Sequence, residues 1–108
     1  MTEYVVLIIS ASSEAESQKI ISTLLNKRLI ACANLSSKTT SSYWWKGSIE
    51  KADEFIITTK TRLSLVGKIT EEVKIIHSYE VPEIIALPVL DGSRDYLDWL
   101  NDEITSDE

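Results

Sequence analysis

Apolar positions follow two rhythms along the chain. The run Tyr4-Val5-Val6-Leu7-Ile8-Ile9 is continuous and rich in β-branched residues, which predicts a short strand buried on both faces. Ser13 stands three residues before Glu16. In that pattern the hydroxyl accepts from a free helical N–H and the carboxylate reaches back to the cap. Behind it Ile20, Ile21, Leu24, Leu25 and Leu29 recur at helical spacing, with Lys19, Asn26, Lys27 and Arg28 between them. This predicts an amphipathic helix with one core face.

Ala31-Cys32-Ala33-Asn34-Leu35, Tyr43-Trp44-Trp45 and the stretch 54–61 read as strands. Residues 36–42 between them are polar throughout and fit either a loop or a strand exposed on both sides. Lys46-Gly47-Ser48 reads as a turn, without the strongest hairpin dipeptides. Together these segments predict a long hairpin. A second helix is expected over residues 64–77, with Leu65, Ile69, Val73 and Ile76 as its buried stripe. Gly67 inside it costs about 1 kcal/mol relative to Ala. Pro82 pushes Val81 into an extended conformation. The stretch 84–90 reads as a strand that is at an edge or ends at Pro88, because Pro cannot donate to a ladder. Asp91-Gly92-Ser93 predicts a turn and cap before a short last helix marked by Tyr96, Leu97, Leu100 and Ile104.

Two βαβ halves joined by a hairpin predict an α+β fold, a ferredoxin-like βαββαβ sandwich with an extra C-terminal helix. Helices would cover one face of its sheet. The doubly apolar first strand and the aromatic cluster predict that a neighbouring subunit covers the other. Trp44 and Trp45 alternate across a strand, so at most one is core and the other marks an interface. Trp99 lies near the stripe of Tyr96 and Leu100 and is expected in core or interface.

A length of 108 residues fits a single domain, 1–108, with a modest core that association would help. The net charge of −6 comes without a stripe of Lys or Arg, which argues against nucleic-acid binding. Part of the acid lies at about 103–108, expected as a frayed tail. No apolar run reaches the length of a membrane span, and Met1-Thr2-Glu3 does not open a signal peptide. The expectation is a cytoplasmic protein.

Cys32 rules out an intrachain disulfide and, with His77, is the only soft or imidazole ligand apart from Met1. Thiolate with imidazole suits copper, although a buried Cys and a helix-end His are the commoner roles for such residues. Glu54, Lys60, Tyr79, Glu80 and Glu83 can make a polar pocket beside apolar strands or remain exposed or ion-paired. No pattern of nucleophilic catalysis surrounds Cys32 or the serines, and the three glycines form no phosphate loop. Ser10-Ala11-Ser12-Ser13 before the first helix is the nearest approach to an anion site.

Several strings together carry a resemblance. Arg28-Leu29-Ile30-Ala31-Cys32-Ala33-Asn34, Tyr43-Trp44-Trp45-Lys46-Gly47 with Glu54, Lys60-Thr61, His77-Ser78-Tyr79-Glu80-Val81-Pro82-Glu83, and Gly92 with Tyr96-Leu97-Asp98-Trp99 occur in order. The chain resembles the divalent-cation tolerance protein (CutA) family. The resemblance implies a homotrimer of ferredoxin-like subunits with pairing hairpins, a link with divalent metal and copper, and no catalytic activity. It also implies an intersubunit cleft holding Cys32, Asn34, Trp45, Glu54, Lys60, His77, Tyr79 and Glu80. Some members carry a first-strand cysteine and a second histidine, where this chain has Ile9 nearby and Ile76. Copper or another divalent cation is therefore expected to bind weakly, through Cys32 and His77. A PII-like trimer holding a small molecule in its clefts, or an anchoring trimer, are the alternatives.

Overall fold

The computed structural model describes residues 3–105. In chain order the elements are β1 (Tyr4–Ala11), α1 (Glu14–Asn26), β2 (Cys32–Leu35), β3 (Thr39–Trp45), β4 (Ser48–Arg62), α2 (Val66–Ile76), β5 (Ile84–Pro88) and α3 (Arg94–Glu103). The sheet order is β2-β4-β1-β5, with every neighbouring pair antiparallel and β3 paired to the other half of β4. This is the ferredoxin-like split βαβ arrangement. β2 and β5 are the edges, and β5 both lies at an edge and ends at Pro88, where a missing N–H is harmless.

The undecided polar stretch is a break followed by a strand. Leu35 pairs with Ile57 and Thr39 with Glu54. Residues 36–38 thus oppose only 55 and 56, one residue more on the β2–β3 side, which is a β-bulge. Ser36 fills it by accepting from the Ile56 N–H through its hydroxyl at 2.8 Å, while its own N–H donates to the Ile56 carbonyl at 3.0 Å. β4 begins at Ser48, six residues before the stretch the sequence pattern marks. Its first half is polar and exposed, so pairing with β3 rather than burial makes it a strand. The turn between them places Lys46 at φ 49° and Gly47 at φ 86°. Positive φ at both central residues matches the right-handed strand twist.

Alternation assigns the faces. Leu7 and Ile9 face the same side as their partners Thr59 and Ile57, and with Ile20, Leu24, Ile69 and Val73 they form a fully buried core under α1 and α2. Val6, Ile8, Ile56, Ile85 and Leu87 point the other way and stay partly exposed. β1 is therefore buried on one face and half-buried on the other, because among the described residues no helix covers most of that face. α3 closes one end of it. Arg62, on that face, donates to Asn101 Oδ1 at 3.0 Å and to the Thr105 carbonyl, and Cys32 Sγ lies 3.5 Å from the Tyr96 hydroxyl.

Three local expectations are corrected. α1 stops at Asn26, before Leu29. Arg28 takes φ 55°, its N–H donates to the Leu25 carbonyl at 3.0 Å, and the Leu29 N–H donates to the Leu24 carbonyl at 2.9 Å. That is a Schellman close, with the Leu29–Leu24 contact in the core, and arginine stands where glycine is usual. α2 begins only at Val66, after a 3₁₀ turn at Leu63–Leu65, so Gly67 falls in its first turn. The acidic tail is not frayed where it is described: Glu103 ends α3, Ile104 is 6% exposed, and the Thr105 N–H donates to the Arg28 carbonyl at 2.7 Å. Residues 106–108 lie outside the described residues.

Candidate functional site

The hairpin projects past the sheet, and the molecule measures 44 × 25 × 23 Å as a result. Under the base of the hairpin lies a cleft of about 650 Å³. Tyr43, Trp45 and Glu54 supply one wall from β3 and β4. Tyr79, Glu80 and Glu83 supply the other from the loop after α2. Glu54 reaches it because β4 continues in regular alternation from the sheet into the hairpin, and only 7% of the residue remains exposed.

The Tyr79 loop is held by a buried polar knot. His77 Nε2 lies 2.6 Å from the Ser10 carbonyl, and its Nδ1 accepts from the Tyr79 N–H at 3.0 Å. The neutral Nε2–H tautomer satisfies both contacts. The Glu16 carboxylate accepts from the Ser12 N–H at 2.9 Å and the Ser78 N–H at 2.8 Å. Burial alone would raise its pKa, but the hydrogen bonds from Ser12 and Ser78 outweigh that and hold it below the usual carboxylate range. Glu16 therefore reaches back to the Ser12 N–H, while Ser13 caps the Glu16 N–H at 3.1 Å. The N-terminus of α1 and the loop after α2 are thus tied together.

The Tyr79 ring packs at 4.9 Å from the His77 ring, and its hydroxyl lies within the influence of the Glu54 carboxylate. Burial, with that carboxylate nearby, pushes the phenol up to about 12. Tyr79 is accordingly a neutral phenol beside a carboxylate throughout the physiological range.

Trp45, Glu54, Tyr79 and Glu80 meet in this one cleft within a single chain. The hairpin and the Tyr79 loop of the same chain already face each other across it. His77 stands behind the wall and shapes it. Cys32, Asn34 and Lys60 form a second group. Lys60 Nζ donates to Asn34 Oδ1 at 3.2 Å, and Cys32 pairs directly with Lys60 across the strands. Six residues of β4 separate Lys60 from Glu54, about 20 Å along a strand.

Cys32 and His77 do not meet within the chain. Cys32 lies level with Lys60 and Val6, and His77 with Ser10. That is a displacement of about 13 Å along β1. Both nitrogens of the His77 ring are already engaged with backbone. Among the described residues no three His, Cys, Asp or Glu side chains converge as metal ligands. Ser41 and Ser42 also line the cleft without having been singled out as site residues. Their only sequence signal was polarity, which marks loops equally well.

The geometry can be set beside known proteins. The profile of the family described as CutA1 divalent ion tolerance protein matches residues 5–103. The chain belongs to that family. It is 40% identical over 97 residues to the divalent-cation tolerance protein CutA of Thermus thermophilus, covering 90% of this chain and 94% of that protein. It is 42% identical over 92 residues to human protein CutA, covering 85% of this chain and 51% of that one. The chain spans 66% of the Danio rerio relative and about half of the human one. Among solved structures, that of the Thermus thermophilus protein superposes with a TM-score of 0.92 at 38% identity, covering 94% of this chain and 99% of that one. The structure described as the periplasmic divalent cation tolerance protein CutA from Archaeoglobus fulgidus gives 0.91 at 37% identity, covering the same shares. The family description names ion tolerance and no reaction.

Proposed function

We propose that this chain is the subunit of a non-enzymatic, cytoplasmic homotrimer that serves divalent-cation tolerance, with its functional cleft at the subunit boundary. The carrying observation is the sheet face that the described helices cover only at the end closed by α3. Ile85 and Leu87 there are each about half exposed, and Val6, Ile8 and Ile56 lie beside them. An apolar sheet face of this kind favours association. The ion-tolerance part of the reading follows the names of the relatives.

In the trimer a neighbour's Lys60 would approach Glu54 and Tyr79, completing the cleft. Copper would bind weakly. The partly buried Cys32 thiol is its softest donor, while the buried His77 ring has both nitrogens in use. Native mass spectrometry at micromolar concentration tests the assembly: three chains per particle are expected, and a 12.2 kDa monomer would remove the reading. Calorimetric titration with copper tests the metal, with weak binding expected to fall further in Cys32→Ser. Unchanged affinity would exclude the thiolate.

A further inference from the structure

Resting on the reading of the cleft as the functional site, we infer that it takes an organic polycation, a short aliphatic polyamine, rather than a bare metal ion. The size comes first. A cleft of about 650 Å³ lies within the range of small-molecule sites, roughly 300–1,000 Å³. A metal ion needs oxygens converging at about 2.0–2.6 Å, and no such convergence exists among the described residues.

The sign of the lining comes next. Glu54, Glu80 and Glu83 line the cleft, and no Lys, Arg or His does. Anions are disfavoured there. The three carboxylates are spread over two walls, from β4 and from the loop before β5. Spread charges suit a ligand whose positive groups are separated by carbon, which a chain of ammonium groups provides. Even with a neighbour's Lys60 alongside, two of the three carboxylates stay unmatched.

Glu54 strengthens the case. It is 7% exposed, and the described ion pairs give it no cation. The neutral Tyr79 phenol that also lines the cleft brings no compensating charge. A desolvated carboxylate gains most from a cation that enters with it.

The aromatic rings then supply the rest of the binding surface. Trp45, Tyr43 and Tyr79 all border the cleft. Ring faces attract ammonium groups and pack against methylene chains. The chain already shows this chemistry, because the Lys46 ammonium lies 5.6 Å from the centroid of the Trp45 ring. A butylammonium side chain of the protein itself is thus received by one of the rings that line the site.

The test is calorimetric titration of the assembled full chain with spermidine as probe, in 150 mM salt. Saturable binding at one site per chain is expected, weakened about tenfold by Glu54→Gln or Trp45→Ala. Glu80→Gln, at an exposed position, should weaken it several-fold and serves if the buried variant does not fold. Equal ionic strength of magnesium should not displace the probe. No saturable heat, displacement by magnesium, or indifference to Glu54→Gln and Glu80→Gln alike would overturn the inference. Those results would mean absence of a site or diffuse attraction to a chain of net charge −6. Divalent-metal titration and the native mass of the same sample report separately on the tolerance trimer. Spermidine binding without metal binding keeps this inference and removes that function, and the reverse result does the opposite.

Discussion

β4 is one strand living under two regimes. Over its second half Ile57, Thr59 and Thr61 are fully buried, lodged between β1 and β2 beneath the helices. The Thr59 and Thr61 hydroxyls donate to the Leu7 and Leu29 carbonyls at 3.1 and 2.6 Å, which lets polar side chains sit in the core. Over its first half the strand has only β3 beside it, and residues 48–51 are all exposed. Trp44 and its partner Ile49 remain 72% and 63% exposed there. A two-stranded ribbon is marginal in water unless something packs on it. The contrast teaches that the sheet half buries the core of the chain, while the ribbon half leaves its apolar side chains exposed.

The largest effect should come from the covered half. Ile9→Ala removes a fully buried side chain from the core and is expected to cost about 2–5 kcal/mol. Ile49→Ala in the ribbon should stay within about 0.5 kcal/mol under conditions where the chain is monomeric. Urea unfolding compares the two. Equal losses would break the contrast between the halves.

The ribbon should instead answer to assembly. Replacing Trp44 and Ile49 together by Ser removes the apolar pair on the side away from the cleft. If the proposed trimer is the assembly, the concentration at which it dissociates is expected to rise at least about tenfold, equivalent to about 2.7 kcal/mol per trimer because its dissociation constant scales with the square of concentration. A dilution series followed by native mass spectrometry measures it. An unchanged dissociation range would assign the ribbon's apolar pair to something other than subunit contact.

The smallest effect tests the seam between the halves, where Tyr79 meets Glu54. The phenol is raised from 10.0 to about 12 in the folded chain, so folding favours its neutral form. That stabilisation is fully present below pH 10, the unfolded value, and is lost as pH rises through about 12. Thermal melts between these limits should show the natural chain losing more stability than Tyr79→Phe, which has no phenol to titrate. Parallel curves would mean that the Tyr79 phenol is not buried beside Glu54 in solution.

Much of the fold was legible because its signals are local. The Ser13 and Ser93 caps, the apolar run of β1 and the stripe Leu65, Ile69 and Val73 each act within a turn or a strand. Their order alone led to the ferredoxin-like arrangement, and the rare Tyr-Glu-Val-Pro-Glu string pointed to the family. What tertiary structure decided involves distant partners. No local pattern marks the bulge at 36–38, because it is a mismatch between two strands rather than a property of either. Arg28 closes α1 in a conformation glycine usually takes, held by the core contact of Leu29 and by residues beyond α3. His77 does close α2 as its sequence position suggested, and it is also a buried strut, because Ser10 and Tyr79 fold onto both its ring nitrogens. Composition could nominate Glu54, Tyr79, Cys32 and Lys60 as polar residues near apolar strands. Only strand register, which counts residues across a ladder, could bring the first two into one cleft and leave the other two about 20 Å along the strand.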